Sequence, residues 1–228
     1  MDKQFYEVLY DTKWHKFVYR ARLFKFIPFI DFVLGAGSMA YGEVKESSDF
    51  DCIVGVKLGR IFTARFFAVL VFGMFGYRRR KMDHKEEAKD KICLNHFVTE
   101  RSYKLSPPYF EYWKNLYRNL IPVFGSEGKI ASFFEANSKW MGEINKINYE
   151  TDLRYIYKKD SRIKSFFEFL LSGFFGNVIE KMLRNLQIKK IERGLKIEEK
   201  YDPRIIYSDI ELEFHPDTRR IPKIESRI

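Results

Sequence analysis

The stretch from Phe32 to Gly55, FVLGAGSMAYGEVKESSDFDCIVG, restricts the fold of this chain more than any other part of it. Phe32 to Leu34 is an apolar run that reads as a buried strand. Gly35 and Gly37 then permit a sharp turn, because glycine adopts left-handed dihedrals at little cost. Ser38 stands where a helix begins, and Met39 to Val44 is long enough for one or two turns. Ser47-Ser48 ends that helix. Asp49 to Val54 predicts a second strand. Residues i and i+2 share a strand face, so Asp49 and Asp51 are expected side by side, with Phe50 and Cys52 in the packing behind them.

This order of elements suits phosphate and metal chemistry. A Gly-Ser turn at a helix start offers N–H groups and a hydroxyl to a phosphate. Two carboxylates on one strand face can hold Mg²⁺, which takes a couple of carboxylates together with substrate phosphates. Gly37-Ser38, followed after eleven positions by Asp49-Phe50-Asp51 in an apolar frame, resembles the motif of the DNA polymerase beta-like nucleotidyltransferase superfamily. The strict match runs from Leu34 to Val54. The resemblance implies a mixed β-sheet with helices mainly on one side. It also implies transfer of a nucleoside monophosphate from a triphosphate such as ATP to an acceptor hydroxyl, with release of pyrophosphate. Gly37 and Ser38 would hold the triphosphate, and Asp49 and Asp51 would bind Mg²⁺.

A third strand is expected over Lys91 to Val98, beside the Asp49-Asp51 strand. The superfamily often carries a third carboxylate there, and this chain has Asn95. Strict alternation puts Cys93, Asn95 and Phe97 on one face and Ile92, Leu94, His96 and Val98 on the other. Asn95 could still ligate a metal or hold its water, but an amide cannot take a proton from the acceptor. His96 reads as a buried, hydrogen-bonded histidine. Asp83, Glu87, Asp90 and Glu100 flank the strand.

Composition fits such a fold without selecting a substrate. The 228 residues are 46% hydrophobic, with 23 Phe and 14 Tyr, which is ample for a core. A net charge of +10 draws polyanions of every kind: nucleotides, RNA, DNA or acidic membrane. Cys52 and Cys93 read as buried free thiols of a reducing, cytoplasmic setting. The longest uncharged run, Phe66 to Tyr77, has 12 residues, too few to span a bilayer.

Elsewhere, periodicity predicts a helix over Lys3 to Lys25, with Lys13, Lys16, Arg20, Arg22 and Lys25 mostly on exposed faces. Arg60 to Tyr77 reads as a buried helix covering the sheet, with a helix whose aromatics meet a partner as the alternative. Arg78 to Lys81 reads as its solvated basic end, with phosphate contact as the sharper alternative. After Pro107-Pro108, helices are expected over Tyr109 to Leu120 and Lys129 to Trp140, with a turn at Pro122…Gly125-Ser126…Gly128. Glu143 to Lys159 reads as a connection of low order. Ser165 to Ile191 carries an apolar stripe, Leu171 through Leu186, of one long helix packed on the core; a dimer seam or an RNA-binding face is the sharper reading. A short apolar run, Arg204 to Tyr207, and a turn at His215-Pro216-Asp217 follow.

The expectation is therefore an α/β (α+β) protein: a nucleotidyltransferase core over residues 1–105, a helical region over 106–195 and a tail over 196–228. The acceptor stays open among RNA, a protein side chain and a small molecule. Two other classes stay open: a nucleotide- or RNA-binding protein of this fold with weakened turnover, and an interaction partner of toxin–antitoxin type.

Overall fold

The computed structural model describes residues 3–79, 88–106, 111–142, 148–157, 161–194 and 204–215. The chain begins with α1 (Lys3–Ala21) and a 3-10 turn (Arg22–Phe26). Then come β1 (Ile30–Gly35), the short α2 (Gly37–Tyr41), β2 (Phe50–Val56), α3 (Ile61–Met74) and β3 (Ile92–Val98). The order continues with α4 (Glu111–Arg118), β4 (Ile121–Gly125), α5 (Glu127–Met141), β5 (Ile156–Tyr157), α6 (Arg162–Leu170), α7 (Gly173–Gly194), β6 (Arg204–Tyr207) and β7 (Glu211–His215). Among the described residues the strands form one mixed sheet in the order β5-β4-β1-β2-β3-β7-β6. β2 runs antiparallel to β1 and parallel to β3. The protein is thus of the α+β class.

Side-chain alternation divides the packing into two layers. Val33, Phe50, Cys52, Val54 and Phe97 face α1 and α3, meeting Phe17, Phe24, Phe62 and Phe72. Phe17 stacks on Phe50 with centroids 5.1 Å apart. Phe32, Leu34, Ile53 and Val98 face the other way, into Tyr103, Trp113, Tyr117 and Phe133. Helices therefore cover both faces, not mainly one. The richness in phenylalanine is what fills two layers at once.

Several expectations change. The turn expected at Pro122…Gly125 is strand β4, which pairs with β1. Pro122 is tolerated in this interior strand where the β1–β4 register shifts, between Val33 and Leu34. The Arg204–Tyr207 run forms a hairpin with β7, which pairs in turn with β3. The region expected to be helical and the tail thus both contribute strands to the sheet of residues 1–105. Within the expected connection of low order, Ile156–Tyr157 pairs with β4. The expected long helix over Ser165 to Ile191 is two helices, broken at Leu171-Ser172 where Gly173 takes φ +74°. Pro107-Pro108, Arg80-Lys81, Asp83, Glu87 and Pro216-Asp217 lie outside the described residues.

Lys13 departs furthest from its expected place. It is 2% exposed, although expected on a solvated face. Its ammonium donates to the carbonyls of Glu46 (2.6 Å) and Ser48 (2.8 Å) and lies 2.7 Å from Asp90 Oδ1. Asp90, whose φ is +61°, also receives Lys16 and donates its N–H to the Ser48 carbonyl at 3.1 Å. Burial acts to raise the Asp90 carboxyl, but hydrogen bonds and charge from Lys13 and Lys16 outweigh it and hold it below its ordinary value. One buried cation thus ties the loop entering β2 to the loop entering β3.

Removing a buried ion-pair partner typically costs about 3–5 kcal/mol, because the other charge stays buried without it. Lys13→Met is expected to lower stability by about 3 kcal/mol in denaturant unfolding. Lys16→Met, whose side chain is 45% exposed, should cost less than about 1 kcal/mol.

Candidate functional site

The geometry of the site follows from the β1–α2–β2 connection. Ala36 N–H donates to the Asp51 carbonyl at 2.9 Å, closing the turn onto β2. Gly37 then takes φ +66°, and a Cβ there would stand 2.3 Å from Asp51 Oδ2. Any other residue at position 37 would meet both dihedral strain and the carboxylate. The Gly-Ser turn and Asp51 are therefore packed against one another. Ser38 opens α2 and is half-buried.

Asp49 precedes β2 and Asp51 lies in it, and both are half-buried. Their carboxylates and the Cys93 sulfur lie within 4.8 Å of one another. Cys93 is the strand partner of Asp51 across the parallel β2–β3 ladder. Asn95 is not: between the pairs Asp51↔Cys93 and Ile53↔His96 the register shifts by one residue. Two β3 residues, Leu94 and Asn95, thus oppose Cys52 alone, and such a bulge re-aims side chains. The expected alternation breaks there. Phe97 packs with Ile92 and Leu94, in the face assigned to the other set, and Val98 packs in the opposite layer. Asn95 is buried on β3, two residues beyond the thiol beside Asp51.

Arg79 completes the cluster. Its Nη1 donates to Asp49 Oδ2 at 2.7 Å, and its N–H donates to the Ile92 carbonyl at 3.0 Å. Burial opposes its charge, but Asp49 and Asp51 hold the guanidinium above its ordinary value. Asp51 is pushed up to about 7, first by burial and then by Asp49, while an S–H donated by Cys93 acts the other way. Both thiols are pushed well above their usual value, by burial and then by Asp51 and Asp49. They stay neutral, and Cys52 donates to the Cys93 carbonyl at 3.3 Å.

Two crowded carboxylates, one of them poorly ionised, fit a divalent cation, which would replace the proton on Asp51. The protonated thiol is a soft donor and adds little for Mg²⁺. Sequence reasoning overlooked Cys93 as a neighbour of Asp51, although it stands on the expected face. Arg79 was visible only as one of a basic run. The two flanking acids among the described residues are engaged elsewhere: Asp90 with Lys13 and Lys16, and Glu100 with Lys129 at 3.0 Å.

His96 belongs to a second, buried group. Its Nε2 lies 3.2 Å from Glu211 Oε1 and its Nδ1 3.9 Å from Glu213 Oε1, both on β7. This agrees with its reading as a structural histidine and fastens β7 to β3. A cleft of about 600 Å³ opens at the far end of α2, lined by Tyr6, Tyr10, Tyr41, Asn119 and Arg154 among others. It contains none of the site carboxylates.

No family model, curated protein or solved structure matches the chain, so the site rests on its own geometry. That geometry has a pH consequence. Asp51 holds its proton up to about pH 7 in the folded chain, against an ordinary value of 3.8. Stability from this proton is complete below about pH 4 and is lost as pH rises through 7. The shift corresponds to roughly 4 kcal/mol, which partial exposure reduces to about 2. Without divalent cations, Asp51→Asn should be more stable than the parent by about 2 kcal/mol at pH 8. The two melting curves should converge near pH 4.

Proposed function

We propose that this chain is a Mg²⁺-dependent nucleotidyltransferase that moves a nucleoside monophosphate from a nucleoside triphosphate to an acceptor hydroxyl. The observation that carries the reading is the Asp49–Asp51 pair packed against the Gly37-Ser38 turn, with Arg79 at its edge. In this reading Asp49 and Asp51 would hold the metal, which would supply positive charge against the triphosphate and the attacking and leaving oxygens. Arg79 exchanges its Asp49 partner for a phosphate oxygen, the bidentate use to which guanidinium is suited. Gly37 lets the substrate approach the backbone, and Ser38 offers its hydroxyl. The acceptor oxygen attacks the α-phosphorus, the bond to the β-phosphate oxygen breaks, pyrophosphate leaves, and the hydroxyl proton passes to water. The acceptor is RNA, a protein side chain or a small molecule.

A second reading is favoured by β3. Cys93 beside Asp51 is a neutral thiol and Asn95 is an amide, so neither takes the acceptor's proton. A binder of triphosphates with slow or lost turnover accommodates that pair of residues.

Incubation of the protein and Mg²⁺ with cell extract and a triphosphate labelled on its α-phosphate distinguishes the two. The enzyme reading expects a labelled acceptor, and loss of about 100-fold or more in Asp49→Ala and Asp51→Ala. Asn95→Asp should preserve or raise the rate, since a positioned base is worth about 10²- to 10⁴-fold. Mg²⁺-dependent triphosphate binding without label transfer supports the binder. Binding that survives in Asp49→Ala/Asp51→Ala overturns both.

A further inference from the structure

The inner sides of α6 and α7 are well anchored. Buried Lys164 donates to the Ile30 carbonyl at 2.7 Å, and Glu168 accepts the Phe29 N–H at 2.7 Å. Glu180 accepts from the N–H groups of Phe62 and Thr63, capping α3, and Ile179 and Leu183 pack into the core. A surface helix held this way ordinarily turns polar residues outward. These helices turn large apolar residues outward as well. At the corner where they meet, Phe169 is 83% exposed and Phe174 and Phe175 are each 77% exposed, with Phe166 and Leu170 beside them. The corner is tight: a Cβ on Gly176 would stand 1.7 Å from the Leu171 carbonyl oxygen. Along α7, exposed Val178, Met182 and Leu186 follow Phe175 at spacings of three and four. On neighbouring α3, Phe66, Leu70 and Met74 are exposed as well. A phenylalanine side chain can bury about 150–250 Å², so the corner rings alone expose about 400 Å², already the size of the largest apolar patch on a typical monomer, and the exposed side chains of α7 and α3 enlarge it.

Charge identifies the partner. Arg162, Lys181, Lys189, Lys190 and Arg193 are exposed on the same two helices. Of their acids, Glu168 and Glu180 are turned inward onto backbone N–H groups, and Glu192 is exposed. We propose that the outward face of α6 and α7, with the exposed side of α3, binds an anionic phospholipid surface. The Phe169–Phe175 corner enters the acyl boundary, and the lysines meet the headgroups. A second copy fits poorly, since it would set these cations against themselves in a chain of charge +10. Protein interfaces are depleted in lysine, whereas helices lying in a membrane interface join Phe and Leu on one side to Lys and Arg on the other. α7 is about 33 Å long, enough to lie along the surface, and no described helix is long and apolar enough to cross a membrane. Asp51 alternates with Cys52, whose layer faces α3, so the carboxylate site stays on the side away from the lipid. The proposal is independent of the nucleotidyltransferase reading.

The full chain is floated with vesicles of phosphatidylcholine alone and of phosphatidylcholine mixed with phosphatidylglycerol, with its oligomeric state measured in parallel. Binding to the mixed vesicles is expected, weakened by salt and much poorer on phosphatidylcholine alone. Phe174→Ser/Phe175→Ser should reduce it roughly tenfold or more without lowering the melting temperature. Lys189→Glu/Lys190→Glu should remove the preference for phosphatidylglycerol. Absence of vesicle binding overturns the proposal, whether the chain is then monomeric or forms a dimer that Phe174→Ser/Phe175→Ser dissociates.

Discussion

The ammonium of Lys13 is the contact on which the arrangement of the site depends. α1 delivers it to a place no solvent reaches, where it meets two loop carbonyls and the Asp90 carboxylate. Ser48 precedes Asp49 by one residue, and Asp90 precedes Cys93 by three. Holding Ser48 and Asp90 together sets the register of β2 against β3 at the end that carries the carboxylates, where Phe50 N–H also reaches the Lys91 carbonyl at 2.8 Å. A positive φ at Asp90, costly for a residue other than glycine, is sustained because this network fixes both sides of it.

The site is arranged around unfavourable charge. Asp49 is compensated by Arg79, whereas Asp51 is pressed between the Gly37 turn and a neutral thiol and holds its proton to about pH 7. Groups perturbed in this way cluster where binding or chemistry supplies the missing partner. The folded chain gains nothing from an ionised Asp51 until a cation arrives, and this is the physical basis of the proposed metal dependence.

Much of this was legible in the residues from Phe32 to Gly55. The apolar run, the glycine turn and the i, i+2 aspartates specify strand, helix start and strand without help from distant parts of the chain. What was not legible depends on contacts far apart in sequence. Lys13 looks solvated on helical spacing alone, because Asp90 is remote. The β3 bulge moves Phe97 and Val98 to the faces opposite those expected, and alternation cannot show a bulge. β4 was hidden by Pro122 and Gly125, which signal a turn unless a neighbouring strand absorbs them. The stripe on Leu171 to Leu186 was visible, but its burial was assumed. Only Leu171 and Leu183 of that stripe are fully buried, because Gly173 breaks the helix and turns its aromatic start outward.

The central claim is that Asp49 and Asp51 form a divalent-cation site held ready by the surrounding loops. Crystals grown with Mn²⁺ in place of Mg²⁺ test it through the anomalous signal of the metal. The account predicts a peak within about 2.0–2.3 Å of an oxygen of each carboxylate, with the Arg79 guanidinium moved off Asp49. An anomalous map with no peak at this pair, or with its peak at His96, Glu211 and Glu213 instead, would contradict it.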